Sequence, residues 1–245
     1  MELPPILLLD LDDTIVTFEQ HGPPAWREVC EAATGRCGVS ADTLYAELQR
    51  VANGYWSDPD RHRMGRLDLD NTRRRLASEA FANLGVDTAL AMETTNLYIS
   101  LSESRIGLFP GARESLVALS ARHRLALVTN GESHKQRRKI ERFELGPLFE
   151  RVFIEQEVGV GKPDPAAYRH ILSEMQAAPE DCCMVGDNLS WDVAAPKSLG
   201  IRGIWNDWRG KGLPRNSSVK PDWIVRSIAE LVPHREGAAG AWDSC

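Results

Sequence analysis

No stretch of the chain stays apolar for the roughly 18 residues that a membrane-spanning helix needs, so no membrane partner is expected. Positive charge is also short: 29 Lys and Arg against 35 Asp and Glu leave a formal net charge of -6. That balance argues against a nucleic-acid polymer gripped by an overall basic field. Cysteine is sparse and odd in number, five in 245 residues, and Cys182 and Cys183 are neighbours in a strand-like run. Neither a disulfide framework nor a CxxC zinc site is indicated, and buried reduced thiols are expected. Ahead of the first apolar run stand Glu2 and two prolines rather than a basic segment, so no signal peptide is expected and the chain reads as cytoplasmic.

What is present is enough apolar material, 42% of residues, to bury a sizeable core, in one domain with a large insertion or in two domains. Strand-like runs occur at Ile6 to Asp10, Leu125 to Thr129, Val152 to Glu155, Cys182 to Gly186 and Ile201 to Trp205. Helix-length segments, Ser133 to Phe143, Pro165 to Met175 and Ser190 to Leu199, separate the later runs. This alternation predicts an α/β chain with a parallel sheet. Between Phe18 and Leu108 no strand run appears. Helical spacing such as Trp26, Val29, Ala33 and Leu76, Ala80, Leu84 is punctuated by loops at "GRCGVS", "SDPDRHRMGRLD" and "LGVD". A single crossover needs one helix and this segment has room for about four, so a separate all-helical insertion is expected.

The first strand-like run, "ILLLDLDDTI", ends in three carboxylates, Asp10, Asp12 and Asp13. In an open α/β sheet, ligands bind beyond the carboxyl ends of the strands, so Asp10 and Asp12 should point into a site. Alternating carboxylates repel one another unless a cation is present, and such hard oxygen ligands suit Mg²⁺. Three later stretches agree. "LALVTNG" ends its run in Thr129, Asn130 and Gly131, groups suited to holding phosphate oxygens. "VGVGKPDP" supplies Lys162 as a compact positive charge. "CMVGDNLSWDV" places Asp187 at a strand end and Asp192 about one helical turn on, facing the same crevice.

The ordered set "DLDDT", "VTNG", "GKPDP" and "GDNLSWD" closely resembles the four motifs of the haloacid dehalogenase superfamily, in the phosphatase branch with a helical cap between the first two motifs. "LVTNG" followed by "FERVFIEQEVGVGKPDP" is similar to the N-acylneuraminate-9-phosphatase and pyrimidine 5′-nucleotidase type of member. The resemblance implies a Rossmann-like parallel sheet core, residues 1–17 and 109–233, an inserted all-helical cap domain, 18–108, and a frayed tail, 234–245. It implies Mg²⁺-dependent hydrolysis of a phosphomonoester through an aspartyl-phosphate intermediate. Asp10 would be the nucleophile and Asp12 the general acid and base. The metal would be held by the Asp10 carboxylate, the Asp12 backbone carbonyl and Asp187, with Asp192 orienting a metal-bound water. Thr129 and Lys162 would neutralise the phosphoryl oxygens, with Asn130 as a helper.

Several other functions fit less well. A dehalogenase needs neither a metal nor a proton donor at Asp12. Phosphonatase members use a cap lysine, and no lysine occurs between Phe18 and Leu108. A phosphomutase shares all four motifs, so they do not separate it from a phosphatase. A non-catalytic binding or regulatory protein on the same fold would be expected to have lost a motif, and here none is broken. The partner implied is a small phosphorylated metabolite: a sugar phosphate, a nucleoside monophosphate or an organic acid phosphate. In the cap, "GYWSDPDRHRMGRLD" sets two aromatics before a basic loop, and Arg63 and Arg66 are expected to contact the leaving group.

Overall fold

Four consecutive apolar residues form β1 (Ile6–Leu9), and all four are buried. A strand sends alternate side chains to opposite faces. Leu7 and Leu9 enter one apolar cluster, Ile6 and Leu8 another. Both faces are thus covered, which is the condition for a parallel sheet. The computed structural model, which describes residues 2–232, contains that sheet. The expected tail at 234–245 lies outside the described residues. β1 is joined by β2 (Arg124–Thr129), β3 (Arg151–Ile154), β4 (Cys182–Gly186), β5 (Arg202–Asn206) and β6 (Trp223–Val225). All pairings are parallel and the order is β3-β2-β1-β4-β5-β6. Strand order reverses between β1 and β4, so a crevice opens at their carboxyl ends, where Asp10 and Asp187 follow.

Between β1 and β2 lie α1 (Gly22–Cys37), α2 (Ala41–Trp56), α3 (Pro59–Arg66), α4 (Leu69–Asn83), α5 (Thr88–Ser104) and α6 (Ala112–Ser120). The last of these packs on the sheet, with Leu116 and Leu119 in the cluster of Leu7 and Leu9. The other five form the helical cap. Leu44, Leu48 and Val51 of α2 meet Leu76, Ala80 and Phe81 of α4 in a cluster of their own. Residues spaced by three and four share one helix face, and each fully buried side chain of this size contributes about 1.5–3 kcal/mol. The chain leaves and re-enters the core through paired backbone. Thr17 N donates to Gly107 O at 2.8 Å and Phe109 N to Ile15 O at 3.0 Å. The remaining helices are α7 (Ser133–Arg142), α8 (Glu155–Val158), α9 (Pro165–Glu174) and α10 (Ala195–Lys197).

Three local expectations change. The stretch "SDPDRHRMGRLD" is not a loop, because α3 runs through it. Asp58 caps that helix by accepting from Arg61 N at 2.9 Å, and Pro59 occupies its first turn. The segment from Ser190 to Leu199 is no regular helix either: a widened π turn, Leu189–Ala194, precedes the short α10. A sixth strand, β6, was not foreseen. Among the described cysteines, Cys30, Cys182 and Cys183 are buried, Cys37 is half-buried, and all four are free thiols. Burial pushes Cys183 up to about 12 and Cys182 to about 11, so neither is a reactive thiolate.

Candidate active site

Most of the motif residues sit where a strand ends. Asp10 and Asp12 follow β1, Thr129 and Asn130 close β2 and its loop, and Asp187 follows β4, while Lys162 comes from the loop before α9. Together with Asp192 and Arg66 they line one cavity of about 900 Å³ between the sheet and the cap. Its centre is an ion cluster. The Lys162 ammonium, essentially buried, lies 2.7 Å from Asp10 Oδ1 and 2.6 Å from Asp192 Oδ1. Asp192 Oδ2 accepts from Asn188 N at 3.0 Å. Thr14 Oγ1 donates to Asp10 Oδ2 at 3.3 Å. Asp13 sits at a positive φ of 57° and accepts from the backbone N–H groups of Phe18 and Glu19, so it fastens the loop.

Three carboxylates against one ammonium leave an excess of negative charge in a buried place. Carboxylate oxygens of Asp10, Asp187 and Asp192 lie within 4.8 Å of one another. Burial raises Asp10 to about 7, against the pull of Lys162. Burial, helped by the charges of Asp10 and Asp192, raises Asp187 to about 9. Lys162 is held charged above its ordinary value: burial opposes the charge, and Asp10 and Asp192 outweigh it. A buried set of hard oxygen donors with unbalanced negative charge fits a small divalent cation such as Mg²⁺. Gly186 leaves room for the Asp192 carboxyl of this set, which a Cβ there would overlap.

The second Asp of the first motif is held apart from this cluster. Asp12 Oδ1 and Oδ2 accept from Lys139 Nζ at 2.6 and 2.8 Å, and Oδ2 also accepts from Gln136 at 3.0 Å. Neither α7 residue was singled out in the sequence. The available signal was their spacing of three on the helix that follows "VTNG", which turns both toward the site.

A family model described as haloacid dehalogenase-like hydrolase matches residues 5–200. The chain belongs to this family. As a haloacid dehalogenase-like hydrolase it is 31% identical to the phosphoserine phosphatase of Thermus thermophilus, across 92% of this chain and 97% of that protein. It is 28% identical to the glyceraldehyde 3-phosphate phosphatase of Pyrococcus furiosus, across 96% and 95%. The N-acylneuraminate-9-phosphatase of Rattus norvegicus is 32% identical over 58% of this chain and 57% of that protein. Among solved structures, the HAD-hydrolase YfnB of Bacillus subtilis, bound to magnesium, superposes with a TM-score of 0.72. It is 25% identical, covering 94% of this chain and 97% of that one.

Three residues of this hydrolase expected at the substrate, Arg63, Arg66 and Asn130, stand differently. Arg63 is exposed and does not line the cavity. On α3, residues 62 and 66 share the inward face, and 63 is turned about 100° from 62, into solvent. Arg66 does reach the cavity, but its guanidinium is engaged by Glu155, Nε to Oε2 at 2.7 Å and Nη2 to Oε1 at 2.6 Å. Asn130 is engaged too: its amide donates to Lys162 O at 2.7 Å and accepts from Lys162 N at 2.9 Å, so it braces the lysine loop at the cavity wall. Trp191 packs under α3, with the His62 ring 5.3 Å away edge to face and Arg66 at 5.2 Å. His21 bonds Thr17 Oγ1 at 2.8 Å, within the link between core and cap.

Proposed function

We propose that this protein is a Mg²⁺-dependent phosphatase that hydrolyses a small phosphorylated metabolite through an aspartyl phosphate on Asp10. The observation that carries the reading is the separation of two strand-end acids into two environments. Asp10 lies in the charged cluster with Lys162, and Asp12 faces the same cavity from a different set of donors. Such a division suits one group that attacks phosphorus and another that handles the proton.

In the first step an Asp10 oxygen bonds to phosphorus as the ester P–O bond breaks, and Asp12 gives its proton to the departing oxygen. In the second, water attacks phosphorus, Asp12 takes a proton from that water, and the bond to Asp10 breaks to release phosphate. Lys162 holds Asp10 as a carboxylate and offers positive charge to the phosphoryl oxygens, with the Thr129 hydroxyl as a further donor. The Asp10 carboxylate, the Asp12 backbone carbonyl and Asp187 would hold Mg²⁺, with Asp192 beside them, and the ion would supply charge neutralisation for the approach of a dianionic phosphoryl group to a carboxylate. The relatives named above act on phosphoserine, a triose phosphate and a sialic acid phosphate, which supports a small phosphorylated metabolite here. The reading also places the enzyme in the cytoplasm, where free thiols persist.

The test is turnover of p-nitrophenyl phosphate by the purified protein with Mg²⁺, with EDTA, and in the Asp10→Asn variant. Activity should require the metal and disappear in the variant, and the phosphorylated peptide trapped from the wild type should map to Asp10. Undiminished turnover in EDTA would refute the assignment.

A further inference from the structure

Lys139 is a buried cation that the phosphoryl-transfer scheme above leaves without a role. Its ammonium donates to both Asp12 oxygens, at 2.6 and 2.8 Å, and stands 4.3 Å from the centre of the Phe18 ring. An ammonium has three N–H groups. Two go to Asp12 and the third side is covered by an aromatic face, so none is left for a phosphate. Gln136, one turn earlier on α7, donates to Asp12 Oδ2 at 3.0 Å. The same Nε2 lies 2.6 Å from Thr129 Oγ1 and 2.9 Å from Asn130 O. The Asp12 carboxyl is therefore fixed in its plane from one side, and its remaining surface faces the cavity.

We propose that Lys139, backed by Gln136, is a positioning residue that sets the rotamer of Asp12 so that this carboxyl meets the leaving-group oxygen. The inference rests on the phosphatase reading. Stability alone gives a poor account of the arrangement. The Lys139 side chain is 11% exposed and that of Asp12 is 25% exposed. Desolvating an ammonium to pair it with a partly hydrated acid gains little. Holding one catalytic carboxyl within a fraction of an ångström is where such a pair has its effect. The anchor is also well placed: α7 begins just after Thr129, so one helix holds the proton-transfer group and continues from the phosphate-binding strand end.

The test compares Lys139→Met, Lys139→Arg and Gln136→Leu on p-nitrophenyl phosphate and on an alkyl phosphate, by single-turnover release of the alcohol. Nitrophenoxide leaves without a proton and an alkoxide does not. Lys139→Met should slow alkyl release about tenfold or more beyond its effect on nitrophenol release. KM and the Mg²⁺ requirement should stay within about twofold, and Lys139→Arg should recover most of the difference. Gln136→Leu should show the same pattern, more weakly, and decides the matter alone if Lys139→Met does not fold. Equal slowing of both esters, a KM rise shared by both, or no slowing overturns the proposal. Wild-type protein inactive on every phosphate ester with Mg²⁺ overturns the phosphatase reading itself, and is seen before any variant is made.

Discussion

Arg66 of the cap and Glu155 of the core meet in a two-bond ion pair, 2.7 and 2.6 Å, at the place where α3 lies over the Lys162 loop. Glu155 also accepts from Gly131 N at 3.0 Å, so the clasp is tied to the strand end beyond Thr129. Its partner across the gap is the only link in that bond set that belongs to the cap.

Removing this clasp should impair closure for every substrate alike. Arg66→Ala leaves the Glu155 side chain, 2% exposed, without its cation, and the closed arrangement is then populated less. Apparent affinity falls by the fraction that is closed. KM for both p-nitrophenyl phosphate and a natural-size ester should rise about tenfold, roughly 1.4 kcal/mol. Arg63→Ala, at an exposed position outside the cavity, should change neither by more than about twofold. Steady-state kinetics of the two variants checks the contrast. A loss confined to the larger ester would mean that Arg66 recognises the leaving group after all.

The metal-free protein should become less stable as pH rises. Burial raises Asp10 to about 7 and Asp187 to about 9, whereas both ionise near 4 in the unfolded chain. Between those values the folded state binds more protons, so raising pH favours unfolding. The stabilisation is complete below about 4 and is lost as pH passes 7 and then 9. Mg²⁺ competes with those same protons, so its affinity should climb over the same range. Thermal melts in EDTA and in millimolar Mg²⁺ should diverge as pH increases; parallel curves would argue that the acids do not form a metal site.

Lys162→Met should abolish activity without a change in overall fold. The lysine joins Asp10 to Asp192, and without it Asp10, which burial already raises to about 7, loses the charge that favours its ionised form and keeps its proton at neutral pH. A protonated Asp10 is no nucleophile, and one donor to the phosphoryl oxygens is gone. Loss of such a donor alone accounts for about 10²–10³ in kcat. Turnover together with a circular dichroism spectrum tests both halves of the statement.

Two glycines should respond in opposite ways to alanine. At Gly186 a Cβ would overlap the Asp192 carboxyl, so Gly186→Ala must displace an acid of the cluster and weaken Mg²⁺ binding about tenfold or more. At Gly54, inside α2, a Cβ meets nothing within 4 Å. Gly54→Ala should stabilise the protein by about 0.5–1 kcal/mol, because it removes backbone freedom from the unfolded chain. Metal titration of the first and a melting curve of the second read the two effects.

The strand-end groups were legible in the sequence because a parallel sheet puts its acids and donors just past apolar runs, and Asp10, Thr129, Lys162, Asp187 and Asp192 do line one cavity. The partners of those groups were not legible. Asp12 and Lys139 are 127 residues apart, Arg66 and Glu155 89 apart, and no local pattern joins either pair. Helix α3 was hidden for another reason. "PDRHRMGR" has almost no apolar period, and the helix is fixed by its Asp58 cap and by the fit of Gly65 against Tyr55 and Trp56. β6, three residues with Ile224 exposed, is too short to show alternation.

The paired stem at Thr17 and Gly107 has an evolutionary consequence. Because the outgoing and returning strands of chain are hydrogen-bonded to each other, the sheet experiences the whole helical segment as a side branch whose ends already meet. Its apolar cluster of Leu44, Leu48, Leu76 and Phe81 is internal to that branch. Lengthening, shortening or exchanging the branch then leaves strand register and the acid cluster untouched, and what has to be re-established is a small set of contacts across the gap, the Arg66–Glu155 clasp and the ion pairs of Lys135 with Asp70 and Glu103 among them. A chain built this way can change what it recognises by grafting, while the chemistry beneath is inherited unaltered.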